Sequence, residues 1–308
     1  MSYRGRCRRC PNIAMDALLK LVSLLPLSVL HRLGAFLGVC AFWFGPTYRR
    51  KLRTNLRQAG LDEDRVMPVA ARHAGMQAVE MAWVWKRSNA DVMAHIAEDE
   101  SAAKIVAEAA AEGKSLIFMT PHVGCYEVSP IWVYEKCLKP LGKKFTILYR
   151  EPKQKFVRKT VANGRLREGM DPAPADLSGV RKIIRAMRAG GALGCLPDQV
   201  PGRGEGVWAS FFGRPAFTMT FPVKMARQFD AALFIVWTVR HPGKGWEVHL
   251  RRWELPEANE GDDDMKAGVE AMNRQIEAAI HEAPEQYIWN YNRYKCPKGV
   301  KKPAEAAA

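Results

Sequence analysis

The sequence predicts an α/β fold: a sandwich in which a mainly parallel central sheet is flanked by helices, with a membrane-associated helical segment at the N-terminus. Three observations lead to this prediction. Short apolar runs typical of buried strands alternate with amphipathic helical patterns after residue 100. The chain has 308 residues, 48% of them hydrophobic, which is enough to bury a core without disulfides or metal ions. The longest apolar runs and most of the positive charge lie near the N-terminus.

The N-terminal segment, residues 1–60, carries eleven basic side chains and one acidic side chain, within a net charge of +15. Basic groups flank the apolar runs Leu21–Leu30 and Leu33–Phe44, which suits an anionic lipid surface better than nucleic acid. Pro26 and a His-Arg pair interrupt the apolar stretch. We therefore predict two amphipathic helices embedded from the cytoplasmic face, with a single membrane span or a buried hairpin as alternatives. A cleaved signal peptide is disfavoured because no small-residue cleavage site follows.

The remaining elements follow from apolar runs and from helix start and stop signals. Ser101 is predicted to cap a helix that stops at Gly113, and later helices place apolar residues on one face. We predict a folded domain over 61–295 and a disordered tail over 296–308. The predicted helices are Ala102–Glu112, Val180–Ala189 and Met265–Ala283, and the predicted strands are Ser115–Thr120, Phe145–Tyr149, Ala192–Leu196, Ala231–Val239 and Trp246–Trp253.

The cysteines and acidic runs do not predict a metal centre. Seven cysteines are scattered along the chain, which indicates a reducing compartment rather than a disulfide framework. Cys7 and Cys10 form a single Cys-x-x-Cys without a second ligand pair at a suitable spacing. The run Asp262-Asp263-Asp264 is interpreted as the acidic N-terminus of the following helix.

The segment Thr120–Glu127, directly after the first long strand, is the strongest candidate site. His122 and Glu127 are five positions apart, about 140° on a regular helix, so they meet only if the chain turns between them. Gly124 makes such a turn easy, and α/β proteins place sites at the carboxyl ends of strands. Glu127 would then accept a proton from one imidazole nitrogen, leaving the other as a general base, with backbone N–H groups available to an oxyanion. A structural His–Glu pair is the alternative.

Other nucleophilic or ligand-binding motifs are weak. The sequence contains no Gly-x-Ser-x-Gly elbow, no Gly-x-x-x-x-Gly-Lys phosphate loop and no His-Glu-x-x-His pair. Cys125 is interpreted as a small apolar residue packed behind the turn rather than as a nucleophile. The glycine-rich loop Pro201–Gly206 needs no ligand to explain it.

The spacing His122-x4-Glu127 after a buried strand resembles the glycerolipid acyltransferase superfamily. The flanking segments are similar to its lipid A late acyltransferases, the lauroyl and myristoyl transferases of Gram-negative bacteria. Their order and spacing match from about Leu18 to Lys295. One departure is Cys125-Tyr126, where the family often has Asn-Trp, and it leaves the substrate shape near the dyad open. The similar segments are Leu148-Tyr149-Arg150, Gly164-Arg165-Leu166-Arg167, Leu196-Pro197-Asp198-Gln199, Phe211-Phe212-Gly213-Arg214-Pro215-Ala216 and Pro284-Glu285-Gln286-Tyr287-Ile288-Trp289.

The resemblance implies an acyltransferase domain over 61–295, acting at the cytoplasmic face of the inner membrane. Such enzymes move a fatty acyl group from acyl carrier protein to a hydroxyl of a 3-hydroxyacyl chain on a Kdo-bearing lipid A precursor. By resemblance, His122 deprotonates the hydroxyl, Glu127 orients His122, and the attack on the thioester is direct, with neither a covalent intermediate nor a metal or other cofactor. An acidic carrier protein, an anionic acceptor and anionic membrane lipids all suit a protein of net charge +15, and no nucleic acid is expected.

Two further polar positions, Arg165 and Asp198, match the family's site. Arg165 is expected to contact anionic substrate groups or the oxyanion, and Asp198 to hold Arg165 or shape the pocket. Arg150 is a weaker candidate for a similar anion contact. Ordinary alternatives are a solvated arginine for Arg165 and a turn cap for Asp198.

Other functions stay open at this point. One is a thioesterase or lipid esterase that uses the same dyad, and another is an acyl-CoA-dependent enzyme acting on a lysophospholipid or phosphoinositide mannoside. A third is a basic membrane-binding or nucleic-acid-binding protein without catalysis.

Overall fold

The computed structural model describes residues 12–97, 100–150, 164–202, 204–257 and 263–303. Helices dominate the first third of the chain, and strands alternate with helices after it. A six-residue π-helix, Val133–Leu138, continues the short helix Ser129–Trp132, and a 3₁₀ turn, Pro284–Gln286, follows the helix Asp263–Glu282. The α-helices are α1 Asn12–Ser23, α2 Leu27–Phe44, α3 Pro46–Gln58, α4 Glu63–Lys86, α5 Asn89–Met93, α6 Glu100–Ala111, α7 Ser129–Trp132, α8 Leu177–Arg188, α9 Phe221–Gln228 and α10 Asp263–Glu282.

A seven-stranded sheet forms the centre of the molecule, in the order β1-β9-β8-β2-β5-β3-β4. All neighbouring strands are parallel except β8 and β9, and β6 and β7 form a separate antiparallel hairpin. The predicted mainly parallel α/β sandwich is therefore confirmed. The strands are β1 Ile96–Ala97, β2 Ser115–Met119, β3 Phe145–Tyr149, β4 Met170–Pro174, β5 Ala192–Cys195, β6 Gly206–Phe211, β7 Arg214–Met219, β8 Ala231–His241 and β9 Gly245–Trp253.

Alternation along β2 divides the core between the two faces of the sheet. Leu116 and Phe118 pack on one face, against α6 and α7, while Ile117 and Met119 pack on the other face, against α8, α9 and α10. All four side chains are at most 1% exposed. Helices therefore cover both faces, as a buried parallel sheet requires.

The predicted strands and helices after residue 100 are confirmed, with ends shifted by a few residues. Ser101, predicted as an N-cap, instead lies inside α6. The strands β1 and β4 and the hairpin β6–β7 were not predicted from the sequence. Pro172 and Pro174 hide β4, because prolines argue against a strand, yet β4 lies at the edge of the sheet, where they are tolerated.

Two N-terminal helices occupy the apolar stretch, but they divide earlier than predicted. Pro26 occupies the N-cap of α2, whereas His31 and Arg32 lie inside that helix. The histidine does not interrupt the helix because it is buried and hydrogen-bonded within the protein. Among the described helices, α2 is long and apolar enough to cross a membrane by length and composition, and one third of it is buried.

α2 packs closely on α4 through glycines. A Cβ on Gly38 would lie 2.0 Å from the carbonyl oxygen of Ala71, and one on Gly75 would lie 1.9 Å from that of Gly34. Only hydrogen in place of a side chain allows the two backbones to approach so closely. The opposite face of α2 is apolar and exposed, with Phe36 at 65% and Phe44 at 85% exposure.

A buried polar cluster joins α2, α4 and β8. Glu80 accepts hydrogen bonds from Arg240 and from the His31 Nε2 (3.1 Å), and the side chains of Glu80 and Arg240 are 0% exposed. The His31 Nδ1 accepts the backbone N–H of Gly243 at 2.8 Å. Arg240 donates further to Gln77. Because each ring nitrogen of His31 has a partner, this histidine is a structural group.

The C-terminal residues extend along the hairpin. The indole of Trp208 donates to the carbonyl oxygen of Lys301 at 2.8 Å, within the segment 296–303 of the tail predicted to be disordered. Residues 304–308 lie outside the described residues, as do Cys7, Cys10 and Asp262. Asp264, from the predicted acidic helix start, forms an ion pair with Arg227 and so links α9 to α10.

Candidate active site

A cavity of about 540 Å³ opens at the carboxyl ends of β2, β3 and β5. Its polar lining includes His122, Glu127 and Arg165, and Arg150 lies at its rim. Most other lining residues are apolar: Leu19 of α1, Met81, Val84 and Trp85 of α4, Ile147 and Leu148 of β3, and Met219 of β7. Four of the five predicted site residues therefore line one apolar cavity, in the place where parallel sheets hold their ligands, and Asp198 lies buried behind them.

His122 is held by Asp198 through two hydrogen bonds. The backbone N–H of His122 donates to Asp198 Oδ2 at 2.9 Å, and Nδ1 lies 2.7 Å from Oδ1. Parallel pairing of β2 with β5 brings His122 and Asp198 together. The last residues of these strands, Met119 and Cys195, lie opposite each other, and each site residue comes three positions later. Since an ionised carboxylate only accepts, Nδ1 carries the proton and Nε2 is left as an acceptor.

The free nitrogen of His122 meets the side chain of Gln199 at the cavity. The two nitrogens, His122 Nε2 and Gln199 Nε2, are 3.2 Å apart, so the amide donates to the ring. The ring of Tyr126 packs edge-on against the imidazole, with centroids 4.5 Å apart. The orientation of the imidazole is thus fixed by its contacts with Asp198, Gln199 and Tyr126. Its basic nitrogen, Nε2, is covered by the Gln199 amide, which a substrate group can replace.

Asp198 stays ionised although it is completely buried. Burial raises its pKa, but the contact with His122 and the nearby Arg293 outweigh burial and hold the pKa below its usual value. The Tyr287 hydroxyl also faces this carboxylate, and burial raises the pKa of Tyr287 well above its ordinary value. Asp198 therefore offers a fixed negative charge to the imidazole.

Glu127 forms an ion pair with Arg165. Arg165 Nε lies 3.0 and 3.2 Å from the two carboxylate oxygens, and its Nη2 makes a further contact with Oε1. Burial lowers the pKa of Arg165 and Glu127 raises it, with a net increase. Glu127 is 7% exposed at the side chain and Arg165 is 31% exposed, so the pair forms part of the cavity wall.

These contacts correct two sequence-based expectations. The His122 ring is oriented by Asp198 rather than by Glu127, and Arg165 is held by Glu127 rather than by Asp198. The turn that begins at Gly124 carries Glu127 away from the imidazole, whereas β5 places Asp198 beside it. All four residues lie at the candidate site, but the histidine and the arginine have exchanged the carboxylates that the sequence predicted for them.

The backbone after His122 does not supply the expected oxyanion donors at three positions. The amides of Val123, Gly124 and Val128 donate to the carbonyl oxygens of Pro121, Gln286 and Cys125, respectively. Gly124 has φ +54°, and a Cβ there would lie 1.7 Å from the carbonyl oxygen of Thr238, so no side chain fits. The long π-containing helix begins only at Ser129.

Two candidates have secondary places in the site. Arg150 is more than half exposed and lies 3.6 Å from Glu205 at the cavity rim. Cys125 is buried, and burial raises the pKa of its thiol well above the ordinary value, which disfavours a thiolate nucleophile. In the described part of the chain, no group of three or more His, Cys, Asp or Glu side chains could hold a metal ion.

Sequence reasoning did not assign roles to Gln199, Tyr126 or Tyr287, although each lies in a segment quoted for the resemblance. Arg293, close to Asp198, was also missed. Gln199 follows Asp198 directly, so the motif itself was the available signal.

Comparisons with known proteins identify the family of this chain. The model of the family described as bacterial lipid A biosynthesis acyltransferase matches residues 9–296. The lipid A biosynthesis lauroyltransferase of Escherichia coli is 26% identical over 293 residues, covering 91% of this chain and 90% of that protein. The E. coli lipid A biosynthesis palmitoleoyltransferase is 25% identical over 279 residues, covering 88% and 86%.

A third relative matches a shorter stretch. The lipid A biosynthesis acyltransferase of Haemophilus influenzae is 28% identical over 184 residues, which is 60% of this chain and 55% of that protein. The family match spans nearly the whole chain and includes every site residue described above. The chain belongs to the bacterial lipid A biosynthesis acyltransferases.

Proposed function

We propose that this acyltransferase moves a fatty acyl group from the thioester of acyl carrier protein to a hydroxyl on a 3-hydroxyacyl chain of a Kdo-bearing lipid A precursor. One observation carries the proposal. The Nε2 of His122, made an acceptor by the buried Asp198, faces an apolar cavity whose wall also holds the guanidinium of Arg165. A base, a cation and an apolar chain site are the groups that acyl transfer between lipids needs.

The reaction starts when the acceptor hydroxyl displaces the Gln199 amide from His122 Nε2. Nε2 takes the hydroxyl proton as the oxygen attacks the thioester carbon, and a C–O bond forms. The tetrahedral intermediate then collapses, the C–S bond breaks, and the imidazolium returns its proton to the leaving thiolate. Asp198 stabilises the imidazolium in between, because its carboxylate touches Nδ1 at 2.7 Å.

Arg165 supplies the positive charge in this mechanism. Its guanidinium is 31% exposed and lines the cavity, so it is placed to stabilise the oxyanion or to contact anionic groups of the acceptor. Glu127 orients the guanidinium through the ion pair and therefore acts on the reaction through Arg165. Arg150 adds a weaker, solvent-exposed charge at the rim.

The protein works from the cytoplasmic face of the inner membrane in this proposal, with α1 and α2 embedded rather than spanning. The close glycine contacts hold one side of α2 on α4, and its exposed side offers Phe36, Trp43 and Phe44 to lipid. Exposed basic residues of α3, among them Arg50 and Arg53, would contact anionic headgroups. Leu19 of α1 lines the cavity, so a lipid acceptor would enter from the membrane side.

Mass spectrometry of lipid A tests the function. The gene is expressed in a host that lacks its late acyltransferases, beside the His122→Ala variant. We expect a mass gain of one fatty acyl group that is absent with the variant. An unchanged spectrum, with the protein present in the membrane fraction, would contradict the proposal.

Purified protein then tests the donor and the acceptor. Rates are compared for the same acyl group on carrier protein and on CoA, and for acceptors with and without Kdo. We expect preference for the carrier protein and for the Kdo-bearing lipid. Release of free fatty acid without acylated acceptor would instead identify a hydrolase, and acylation of a lysophospholipid would identify a different acceptor.

A further inference from the structure

The outer face of α8 carries a row of exposed arginines. Arg181, Arg185 and Arg188 are spaced by four and three residues, so they follow one side of the helix. Within the described residues, none of the three has an ion pair with a carboxylate, whereas the neighbouring Lys182 pairs with Asp171 at 2.5 Å. Leu177, one turn before the first arginine, is 76% exposed.

The contacts that hold α8 in the fold come from its inner face and from its N-cap. Ile183 and Met187 fill the core on the opposite side of the helix and are at most 2% exposed. Asp176 caps the first turn, accepting the backbone N–H groups of Ser178 and Gly179. The helix itself contains no acidic residue that could neutralise the row. Its inner face and cap therefore hold α8 in the fold. In the described part of the chain the three arginine side chains make no ion pair or hydrogen bond, although Arg185 and Arg188 in the last turn interact favourably with the helix dipole.

The position of α8 connects the row to the cavity. The helix begins directly after β4, and Pro172 and Ala175, just before it, line the cavity. It then runs back along the sheet to the turn Gly190-Gly191 that enters β5. From Leu177 to Arg188 the helix covers about 16 Å at 1.5 Å per residue. The row therefore starts at the cavity rim and leads away from it.

A soluble partner fits this row better than a membrane does. The exposed apolar residues of α1 and α2 lie with α4 at the carboxyl-end edge of the sheet, where Met81 and Trp85 of α4 also line the cavity. Leu19 of α1 and Ala175, just before α8, line the same cavity, so a lipid surface on α1 would lie near the start of α8. Arg185 and Arg188, in the last turn, lie further from that edge. A protein with acidic groups at helical spacing would reach the whole row.

We propose that the outer face of α8, formed by Leu177, Arg181, Arg185 and Arg188, is the docking surface for the acidic carrier protein that presents the acyl thioester. This inference rests on the proposed function. Three arginines along one helix face match carboxylates at the same spacing on a partner helix, and Leu177 adds an apolar contact beside the cavity. Docking there would bring a carrier-bound thioester to the cavity rim at Ala175.

The test is donor-specific kinetics of the double variant Arg181→Glu, Arg185→Glu. The same acyl group is offered on carrier protein and on CoA, with the lipid acceptor held constant. We expect the KM for the carrier donor to rise at least tenfold at low salt, with kcat nearly unchanged. The difference from wild type should shrink as salt rises, because rim charges act mainly on association. The rate with acyl-CoA should stay at the wild-type value.

Two further variants sharpen the result. Arg181→Gln, Arg185→Gln removes the positive charge without adding repulsion and should raise the same KM less. The control Lys104→Glu, Arg274→Glu makes the same charge change at exposed positions on α6 and α10 and should leave both donors unaffected.

An unchanged KM for the carrier donor in the Arg181→Glu, Arg185→Glu variant, while His122→Ala is inactive, would overturn the docking surface and leave the function intact. An equal loss with both donors would also overturn it, because the damage would then lie in the site. A wild-type protein that uses acyl-CoA but not acyl carrier protein would instead refute the proposed donor, and the inference with it.

Discussion

The chain builds two clusters from the same kinds of side chain, a histidine, a carboxylate and an arginine, and the clusters have different properties. In the first, Glu80 serves both His31 and Arg240, and the carboxylate and the guanidinium are sealed from solvent. In the second, two carboxylates divide the work: Asp198 holds His122 and Glu127 holds Arg165.

The two clusters differ in whether the histidine and the arginine present a group that a substrate can reach. Both ring nitrogens of His31 have partners inside the protein, one of them a backbone N–H. The Nε2 of His122 meets only a side-chain amide at the cavity, and Arg165 is one-third exposed. A site for chemistry is therefore recognised by a fixed group with a replaceable partner, and not by residue types alone.

Replacing the histidine should give the largest difference in kcat between the two clusters. His122→Ala should lower kcat of the folded fraction by about 10³-fold or more, because it removes the general base, and should also lower Tm, because it leaves the buried Asp198 without its main partner. His31→Ala should lower Tm and leave the kcat of the folded fraction near wild type. Initial rates and thermal unfolding of both variants check this. Comparable rate losses in the two would erase the distinction between the clusters.

Removing the carboxylate should cost more stability in the cluster of His31 and Arg240 than in the cluster of His122 and Arg165. Glu80→Ala leaves Arg240 as an unpaired charge that is 0% exposed, and should lower the free energy of unfolding by about 3–5 kcal/mol. Glu127→Ala should cost much less stability, because water can reach Arg165. Urea unfolding in detergent measures both. A larger stability loss in Glu127→Ala than in Glu80→Ala would argue against this assignment.

Arg165→Ala should lower kcat by about 10²-fold, as expected for loss of one group that stabilises an oxyanion. Arg165→Lys should recover little, since an ammonium cannot reproduce the paired contacts with both oxygens of Glu127. Steady-state rates at saturating donor and acceptor provide the measurement. Full activity in Arg165→Ala would remove this residue from the mechanism.

The structural cluster should also set the response to acid. Burial, with the charge of Arg240, lowers the pKa of His73 from 6.5 to about 4, so the folded protein resists protonating it. The unfolded chain binds that proton below pH 6.5, hence stability should fall by about 3 kcal/mol as pH drops from 6.5 to 4. Glu80, with a pKa of about 2, adds a further loss between pH 4.5 and 2.

Unfolding curves across this pH range check the expectation, and His73→Gln should remove most of the slope between pH 6.5 and 4. A slope equal to that of wild type would assign the acid sensitivity to other groups.

The smallest effect is expected at Cys125. Cys125→Ala should cost about 1 kcal/mol of stability, as a small cavity forms at a fully buried position, while activity stays within about twofold. Rates before and after treatment with a thiol reagent provide a second reading. Loss of activity in this variant would indicate that the Cys125 thiol acts as a nucleophile.

The fold was largely predictable because buried parallel strands such as Ser115–Met119 are short, continuous apolar runs. Four members of the candidate site, His122, Glu127, Arg165 and Asp198, were predictable from the motifs, but their pairing was not. His122 and Glu127 are neighbours in sequence, whereas the contact of His122 with Asp198 spans 76 positions and depends on which strand lies beside β2. Strand order is a tertiary property that local spacing does not encode.

The lining of the cavity by Leu19 has a consequence for kinetics. Leu19 belongs to α1, which also presents Leu18 and Leu21 at more than 50% exposure, so in the proposed membrane placement the helix that meets lipid is also a wall of the proposed substrate site. Turnover should then follow the mole fraction of acceptor within a micelle or bilayer rather than its bulk concentration. Adding inert detergent at constant total acceptor should slow the enzyme by surface dilution.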